Sequence, residues 1–324
     1  MTTSSTPWED IGTPGADYNV RLIANSKQIP LYWGRDSEGH CLFIVELKGD
    51  HSAQFRKSRA SVRGIGVDLR SLGPTETQGL VLKLERHVDQ DLFLSLCDTL
   101  SASLRDVPDS AGALSVALTH LGRWKTFLAS RRLRLLSREE IYGLFAELQF
   151  LRLLYREHLS EEATLDAWCG PDGAHQDFIF GNTAVEIKAL SGKERSMVRI
   201  SSEDQLEALC DKLFLRVFRL NAISESDHAL SLNEAVRQVA GELSDASALE
   251  KFFTQLAAYG YVELRDYDEP RLVVTGQRTF RVTEEFPRIV RSELPDGLTR
   301  VGYAIELESI AKFECETAEV WGDA

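Results

Sequence analysis

Gln176-Asp177-Phe178-Ile179-Phe180-Gly181-Asn182-Thr183-Ala184-Val185-Glu186-Ile187-Lys188 reads as a β-hairpin, and the rest of the chain is arranged around it. Phe178–Phe180 and Val185–Ile187 have the aromatic and β-branched character of strands, and Gly181-Asn182 is a two-residue turn of the type that closes tight hairpins. The turn sets the register. Phe180 faces Thr183, Ile179 faces Ala184, Phe178 faces Val185, and Asp177 faces Glu186. Directly opposed residues hold their Cβ atoms about 4.5–5.5 Å apart, so two carboxylates are brought together. Lys188, two residues beyond Glu186, falls on the same face, and Ile187 points to the other.

Opposed carboxylates repel unless positive charge lies between them. A divalent cation supplies it, and hard oxygen ligands suit Mg²⁺ or Mn²⁺. An ammonium on the same face neutralises charge developing on a phosphate, or helps orient or deprotonate an attacking water. Metal and lysine together are the parts needed for in-line hydrolysis of a phosphodiester. The same Asp–Glu–Lys cluster also has a plain reading as a cross-strand salt-bridge network, and the hairpin alone does not separate the two.

A third acid comes from upstream. Ser137 and Glu140 form a capping-box signature, and Ile141, Leu144, Leu148, Leu151 and Tyr155 follow at spacings of three and four, which predicts a helix with one apolar face. Glu147 lies within that stripe. A lone carboxylate there is unfavourable unless it is paired or bound to metal; at the edge of the stripe it is solvated or paired with an arginine.

Around this centre the chain divides into four expected segments. Residues 1–90 are a β-rich N-terminal domain, with strands at Pro30–Arg35, Cys41–Lys48, Gly64–Leu69 and Gly79–Arg86. Residues 91–136 are a helical connector broken at Pro108-Asp109-Ser110-Ala111-Gly112. Residues 137–222 hold the hairpin. Residues 223–324 are a C-terminal region with helices capped at Ser231 (with Glu234) and Ser247 (with Glu250), then strands at Arg271–Thr275, Thr279–Thr283 and Thr299–Leu307.

Composition narrows the function classes. The chain has 324 residues, 43% of them hydrophobic, and no apolar run approaching the ~20 residues of a bilayer span. The start, MTTSSTPWEDIG, lacks the apolar core and basic lead of a secretory signal. Five scattered cysteines without C-x-x-C spacing argue against a disulfide framework and a zinc ribbon, so a reduced, cytoplasmic setting without membrane association is expected. The formal net charge of −13 is awkward for a nucleic-acid binder. Two local basic groups run against it. One is Arg56, Lys57, Arg59 and Arg63; the other is Arg123, Lys125, Arg131, Arg132, Arg134 and Arg138. Each is a candidate phosphate contact or a solvated face.

Asp177, with Glu186-Ile187-Lys188 nine residues later, resembles the D…(D/E)-x-K motif of the PD-(D/E)XK nuclease superfamily. In that fold a helix bearing an acid precedes the hairpin, and a strand and a helix follow it. Here the helix of Glu147 precedes, and a strand around Val198–Ser201 and a helix from about Glu203 are expected after. The likeness is closer to a bacterial family of PD-(D/E)XK proteins associated with restriction and defence. It rests on Gly143-Leu144-Phe145-Ala146-Glu147-Leu148, Trp168-Cys169-Gly170-Pro171, Gln176-Asp177-Phe178 and Glu186-Ile187-Lys188. It extends more weakly into Arg278-Thr279-Phe280-Arg281-Val282 and Phe286-Pro287-Arg288. Gln176 stands where the motif's name has proline.

The resemblance implies an α+β (mixed α/β) chain with a restriction-endonuclease-like core. It implies metal ligation by Asp177 and Glu186, with Glu147 as a further ligand or water-orienting acid. Lys188 is then the catalytic lysine, and Gln205, at the start of the following helix, a further site residue. His175 is a candidate beside it, against a plainer role as a satisfied loop histidine, and Trp168 packs its loop on the core. The implied activity is a metal-dependent endodeoxyribonuclease using Mg²⁺ or Mn²⁺ in restriction or anti-phage defence, as a homodimer or with other defence-system subunits. The alternative is a catalytically silent DNA-binding or assembly subunit, which the acidic net charge favours and the intact Asp, Glu and Lys oppose. A scaffold with a salt-bridged hairpin is the third reading.

Overall fold

The capping box at Ser137 opens the helix that carries Glu147. In the computed structural model the Ser137 hydroxyl accepts the N–H of Glu140, and the Glu140 carboxylate accepts the N–H of Ser137. The structure describes residues 6–23, 28–58, 62, 64–73, 76–85, 88–129, 135–172, 174–192, 196–207, 210–223, 226 and 228–321. Of the candidate phosphate contacts, Arg59, Arg63, Arg131 and Arg132 lie outside the described residues, as does Arg134. The chain forms two compact units: Met1–Leu133 with Val262–Leu264, and Arg134–Tyr261 with Arg265–Ala324.

The first unit is an antiparallel sheet with helices. Its strands are β1 (Tyr18–Leu22), β2 (Leu31–Asp36), β3 (Cys41–Lys48), β4 (Ile65–Ser71) and β5 (Thr77–Leu84), in the order β1-β2-β3-β5-β4. The helices are α1 (Ser52–Ser58), α2 (Gln90–Ser103) and α3 (Ser110–Ala129). The central strand β3 is buried along almost its whole length, and α3 packs against it. Trp8 stacks on Phe93 of α2, with ring centroids 5.5 Å apart. The stretch expected to be a connector, 91–136, therefore supplies α2 and α3 to this unit's core, because Phe93, Leu96, Leu100, Leu114 and Leu121 need the sheet to bury them.

The second unit is built on a mixed sheet. Its strands are β6 (Phe178–Phe180), β7 (Thr183–Ser191), β9 (Lys212–Ala222), β10 (Leu272–Arg281) and β12 (Glu314–Cys315), in the order β12-β10-β9-β7-β6. A two-stranded sheet of β8 (Met197–Ile200) and β11 (Tyr303–Glu306) lies in the same unit. Its helices are α4 (Arg138–Glu157), α5 (Glu161–Ala167), α6 (Leu232–Glu242), α7 (Ala246–Tyr259) and α8 (Ala318–Trp321). β7 and β9 run parallel, which requires a crossover, and the chain from 192 to 211 with β8 provides it. Both are buried on two faces, as near-continuous apolar strands are in a covered sheet. One face carries Ala184, Leu190, Leu213, Leu215, Val217 and Phe280, packed with Val198, Ile200 and Ile305 of the small sheet. The other faces α4, where Phe150 meets Phe178 at 4.8 Å. The fold is α+β, and the region from 223 onward completes the hairpin's own sheet through β10 and β12. The four-segment division thus places cuts inside both units.

Local expectations differ from the structure at three places. Arg271–Thr275 and Thr279–Thr283 form one strand, β10, with a bulge between Val274 and Gly276 that absorbs the polar interruption. α7 is capped by Asp245, whose carboxylate accepts the N–H of Ser247 at 2.7 Å; Ser247 itself is inside the helix. The segment from Glu203 forms turns instead of a helix, and side chains from elsewhere donate to its carbonyls, as described below. Among the described residues no helix is long and apolar enough to cross a membrane.

Leu215 of β9 sits beside Glu186 of β7 and is fully buried. Leu215→Ala is expected to destabilise the second unit by about 2–5 kcal/mol, read as a lower urea midpoint in far-UV circular dichroism. An unchanged midpoint would show that this strand pair does not brace the hairpin.

Candidate metal and phosphodiester site

Glu186 stands in mid-strand on β7, with Leu215 on one flank and the β6 hairpin on the other. The hairpin register is the one that the Gly181-Asn182 turn predicts: Phe180 pairs with Thr183, Ile179 with Ala184 and Phe178 with Val185. The ladder ends there. At Asp177 the backbone turns away, and its carbonyl accepts the N–H groups of Cys169 at 2.8 Å and Gly170 at 3.1 Å. Its carboxylate accepts the N–H of Ile187 at 2.7 Å. Asp177 thus flanks Glu186 as expected, but clasped between the 168–170 loop and β7 and not as a ladder partner.

Glu147 reaches the same place from α4 and is 6% exposed. Trp168 Nε1 donates to its Oε2 at 2.7 Å, and the phenol of Tyr259, at the end of α7, is a second donor. Gly170 closes the group: a Cβ there would lie 2.7 Å from Glu147 Oε2 and 3.3 Å from Asp177 Oδ1. Glycine leaves free the space that these two carboxylates share.

Lys188 Nζ lies 2.8 Å from Glu186 Oε1. This close ion pair falls short of hydrogen-bond alignment, and neither Glu186 oxygen has a hydrogen-bond donor among the described residues, although Glu186 is 1% exposed. Gln205 Oε1 accepts from Lys188 Nζ at 3.1 Å, so Gln205 joins the site from a turn and not from the helix start expected of it.

Burial dominates the electrostatics. It pushes the Glu147 carboxyl well above its usual range, and the Asp177 charge adds to the effect. Burial also raises Asp177, with Lys188 and the Ile187 N–H pulling the other way. Glu186 is pushed up to about 8 by burial and by Asp177, against the pull of Lys188. Burial works against the Lys188 ammonium, but Glu186 and Asp177 outweigh it and hold its pKa above the usual lysine range. Three acids and one ammonium thus occupy a water-poor place where burial holds each acid's pKa above its usual range.

These residues fit a divalent cation. Their donors are hard carboxylate oxygens, Glu186 has two buried oxygens without an aligned hydrogen-bond donor, and the 168–170 loop leaves a space at Gly170. Asp177, Glu186 and Glu147 are the residues that would hold the ion. Among the described residues a tighter acidic group exists in the first unit, where the ligand atoms of Asp36, Glu38 and His40 all lie within 4.8 Å of one another. That group is already satisfied. Asp36 Oδ1 accepts the N–H of Glu38 at 3.0 Å and of His40 at 2.8 Å, and Lys83 Nζ stands 3.5 Å from Asp36 Oδ2.

Arg56 and Lys57 are exposed in the last turn of α1, in the first unit, and Arg56 Nε is spent on the Ser52 carbonyl at 3.2 Å. His175 is exposed, 3.8 Å from Asp204 Oδ2. Sequence reasoning missed Trp168 as a donor, together with Gly170 and Tyr259. For Trp168 a signal existed, because a buried indole N–H needs an acceptor and Glu147 lies on an inward helix face. Tyr259 is 112 residues from Glu147 and carries no local signal.

Gly170→Ala is expected to weaken Mn²⁺ binding by about 10–100-fold, the range seen when groups around metal ligands are displaced, in isothermal titration of folded protein; unchanged affinity would remove Gly170 from the site. A pH dependence follows from Glu186. Its carboxyl binds protons more tightly folded than unfolded, so its contribution to stability is present below its unfolded value and is lost as pH rises through about 8. Metal-free Glu186→Gln is therefore expected to melt higher than wild type at pH 8.5, with the difference shrinking toward pH 5, in calorimetric scans.

A family model described as "Putative PD-(D/E)XK family member, (DUF4420)" matches residues 4–308. No curated protein and no solved structure matches the chain. The match spans nearly the whole sequence and includes the helix acid, the hairpin acid and the E-x-K triplet in order: the chain belongs to this PD-(D/E)XK family.

Proposed function

We propose that this chain is a metal-dependent endodeoxyribonuclease that hydrolyses DNA phosphodiester bonds at Glu147, Asp177, Glu186 and Lys188. The observation that carries the proposal is Glu186, whose two buried oxygens have no hydrogen-bond donor beside an off-line lysine. Buried carboxylates in a purely structural network are hydrogen-bonded. One that meets only an off-line ammonium on Oε1 and no donor on Oε2, with two further acids beside it, is suited to a cation.

The division of labour follows from the contacts. Asp177, Glu186 and Glu147 would hold Mg²⁺ or Mn²⁺, which supplies Lewis acidity toward the phosphoryl oxygen. The Ile187 N–H fixes the Asp177 carboxylate, and Trp168 with Tyr259 fixes that of Glu147. Lys188, with its side chain 16% exposed, offers an ammonium to charge developing on the phosphate. Membership of the family supports a nuclease-like chemistry, and a role in restriction or anti-phage defence is proposed on the resemblance described above. DNA is the proposed partner. Cutting both strands calls for two such sites, from a second copy or from another defence subunit.

One observation favours a second reading, a silent DNA-binding or assembly subunit: the net charge of −13 opposes unaided binding to a polyanion. Plasmid nicking with Mn²⁺ or Mg²⁺ separates the two. Wild type is expected to nick; Asp177→Ala is expected to lose both nicking and Mn²⁺ binding. Lys188→Ala is expected to keep Mn²⁺ binding while nicking falls at least ~10²-fold, the scale for losing one group that stabilises developing charge. Wild type that binds Mn²⁺ and leaves DNA intact would support the silent subunit. Nicking undiminished in Lys188→Ala would overturn the site assignment.

A further inference from the structure

Gln176, the residue before Asp177, is 1% exposed. Its Nε2 lies 3.1 Å from Asp204 O, 3.3 Å from Gln205 O and 3.1 Å from Glu207 O. Three carbonyls share the two N–H bonds of one amide. They also fix its orientation, since the flipped amide would set its oxygen against all three. The price is Gln176 Oε1, buried without a donor among the described residues. Leaving a buried acceptor bare is unfavourable, so the geometry at Nε2 has to be worth that loss.

Arg288 completes the clamp, donating from Nη1 to Leu206 O at 2.7 Å. The carbonyls of residues 204–207, which a helix would satisfy with its own N–H groups, each accept from one of these two side chains, and that of Asp204 also accepts the Glu207 N–H at 3.1 Å. Glu203 fixes the entry to the turn. Its carboxylate accepts the N–H of Arg300 at 3.2 Å and of Val301 at 2.8 Å, and the Arg291 guanidinium at 3.2 Å. What the clamped turn presents is Gln205. Its Oε1 accepts the Ser201 N–H at 2.7 Å and Lys188 Nζ at 3.1 Å.

We infer that Gln176 and Arg288 are positioning residues: by holding the carbonyls of the 204–207 turn they set the Gln205 carboxamide, which aims the Lys188 ammonium. Lysine is a point charge on a flexible four-carbon stem, and its contact with Glu186 is not aligned as a hydrogen bond. That contact anchors the ammonium on one side. Gln205 supplies the second point that fixes it, and the Ser201 N–H holds Gln205 in turn. The inference rests on the nuclease reading proposed above. It accounts for the glutamine that stands in the motif's proline position, and for Arg288 of the Phe286-Pro287-Arg288 stretch. Proline has no side-chain donor, and no other described side chain donates to these four carbonyls.

The test is a double-mutant cycle on the full chain, with two readouts. The first is amide hydrogen exchange at Ser201, which reports the place of Gln205 without metal or DNA. Gln176→Leu and Gln205→Ala are each expected to speed it at least ~10-fold, the ratio for one lost restraint of about 1.4 kcal/mol. The second is nicking at saturating Mn²⁺ and DNA. Gln176→Leu is expected to lower kcat ~10-fold or more, on the scale of a small misplacement of a reacting group, with KM for DNA and Mn²⁺ affinity unchanged. In the Gln205→Ala background the same substitution is expected to have almost no further effect, because the two act as one unit. Independent, multiplying losses would overturn the inference, as would a Gln176→Leu protein with wild-type kcat. If Gln176→Leu does not fold, Arg288→Met enters the same cycle with the same expected pattern. Wild type that fails to nick overturns the nuclease reading and this inference with it. Wild type that nicks, with Lys188→Ala inactive and the cycle additive, overturns the inference alone.

Discussion

Everything in the second unit answers to one constraint: three carboxylates and one ammonium are held where water is scarce. Each carboxylate alone would give up its charge on burial. Glu147 and Asp177 are therefore each given donors: the indole and phenol for one, the Ile187 N–H for the other. Glu186 is given none, only the off-line Lys188. The surrounding fold makes this possible. β7 is an interior strand, braced by β9 on one edge and β6 on the other, with apolar packing on both faces. A strand so placed holds its backbone against the local repulsion, so the acids bend their protonation equilibria instead of the chain.

The parts legible in the sequence are those governed by short-range rules. A two-residue turn dictates its hairpin register, so Phe178–Val185 and its neighbours follow from Gly181-Asn182. A capping box dictates a helix start, so α4 and the inward place of Glu147 follow from Ser137 and Glu140. Where the determinant lies far along the chain, local reading fails. Glu203 to Glu207 has no helix breaker, and the pattern predicts a helix. The side chains that donate to its carbonyls in the turn are Gln176 and Arg288, 28 and 82 residues away from their acceptors. The connector expected from 91 to 136 fails for the same reason, since what claims α3 is β3, far upstream. Of the site itself, the four charged residues carry a spacing that can be read. The neutral ones that orient them, Trp168, Gly170, Gln176 and Tyr259, act through contacts that no spacing encodes.

The chain also contains two acidic groups of opposite character, and their comparison sharpens what marks a metal site. Asp36, Glu38 and His40 bring their ligand atoms within 4.8 Å of one another, closer than the acids around Glu186. Proximity alone would select them. Yet Asp36 spends its oxygens on the backbone of its own hairpin loop and on Lys83; partial burial works to raise its pKa, but the His40 N–H and side chain and the Glu38 N–H outweigh it and lower the pKa. Its charge is already accommodated, so a cation would have to displace contacts in order to bind. At Glu186 the balance is reversed. Burial and Asp177 together raise its pKa to about 8, so a cation would displace a proton and relieve repulsion at once. The unmet electrostatic need, and not the nearness of the acids, distinguishes the second group. Gly170 bears on the same group, because a methyl group there would stand 2.7 Å from Glu147 Oε2 and 3.3 Å from Asp177 Oδ1.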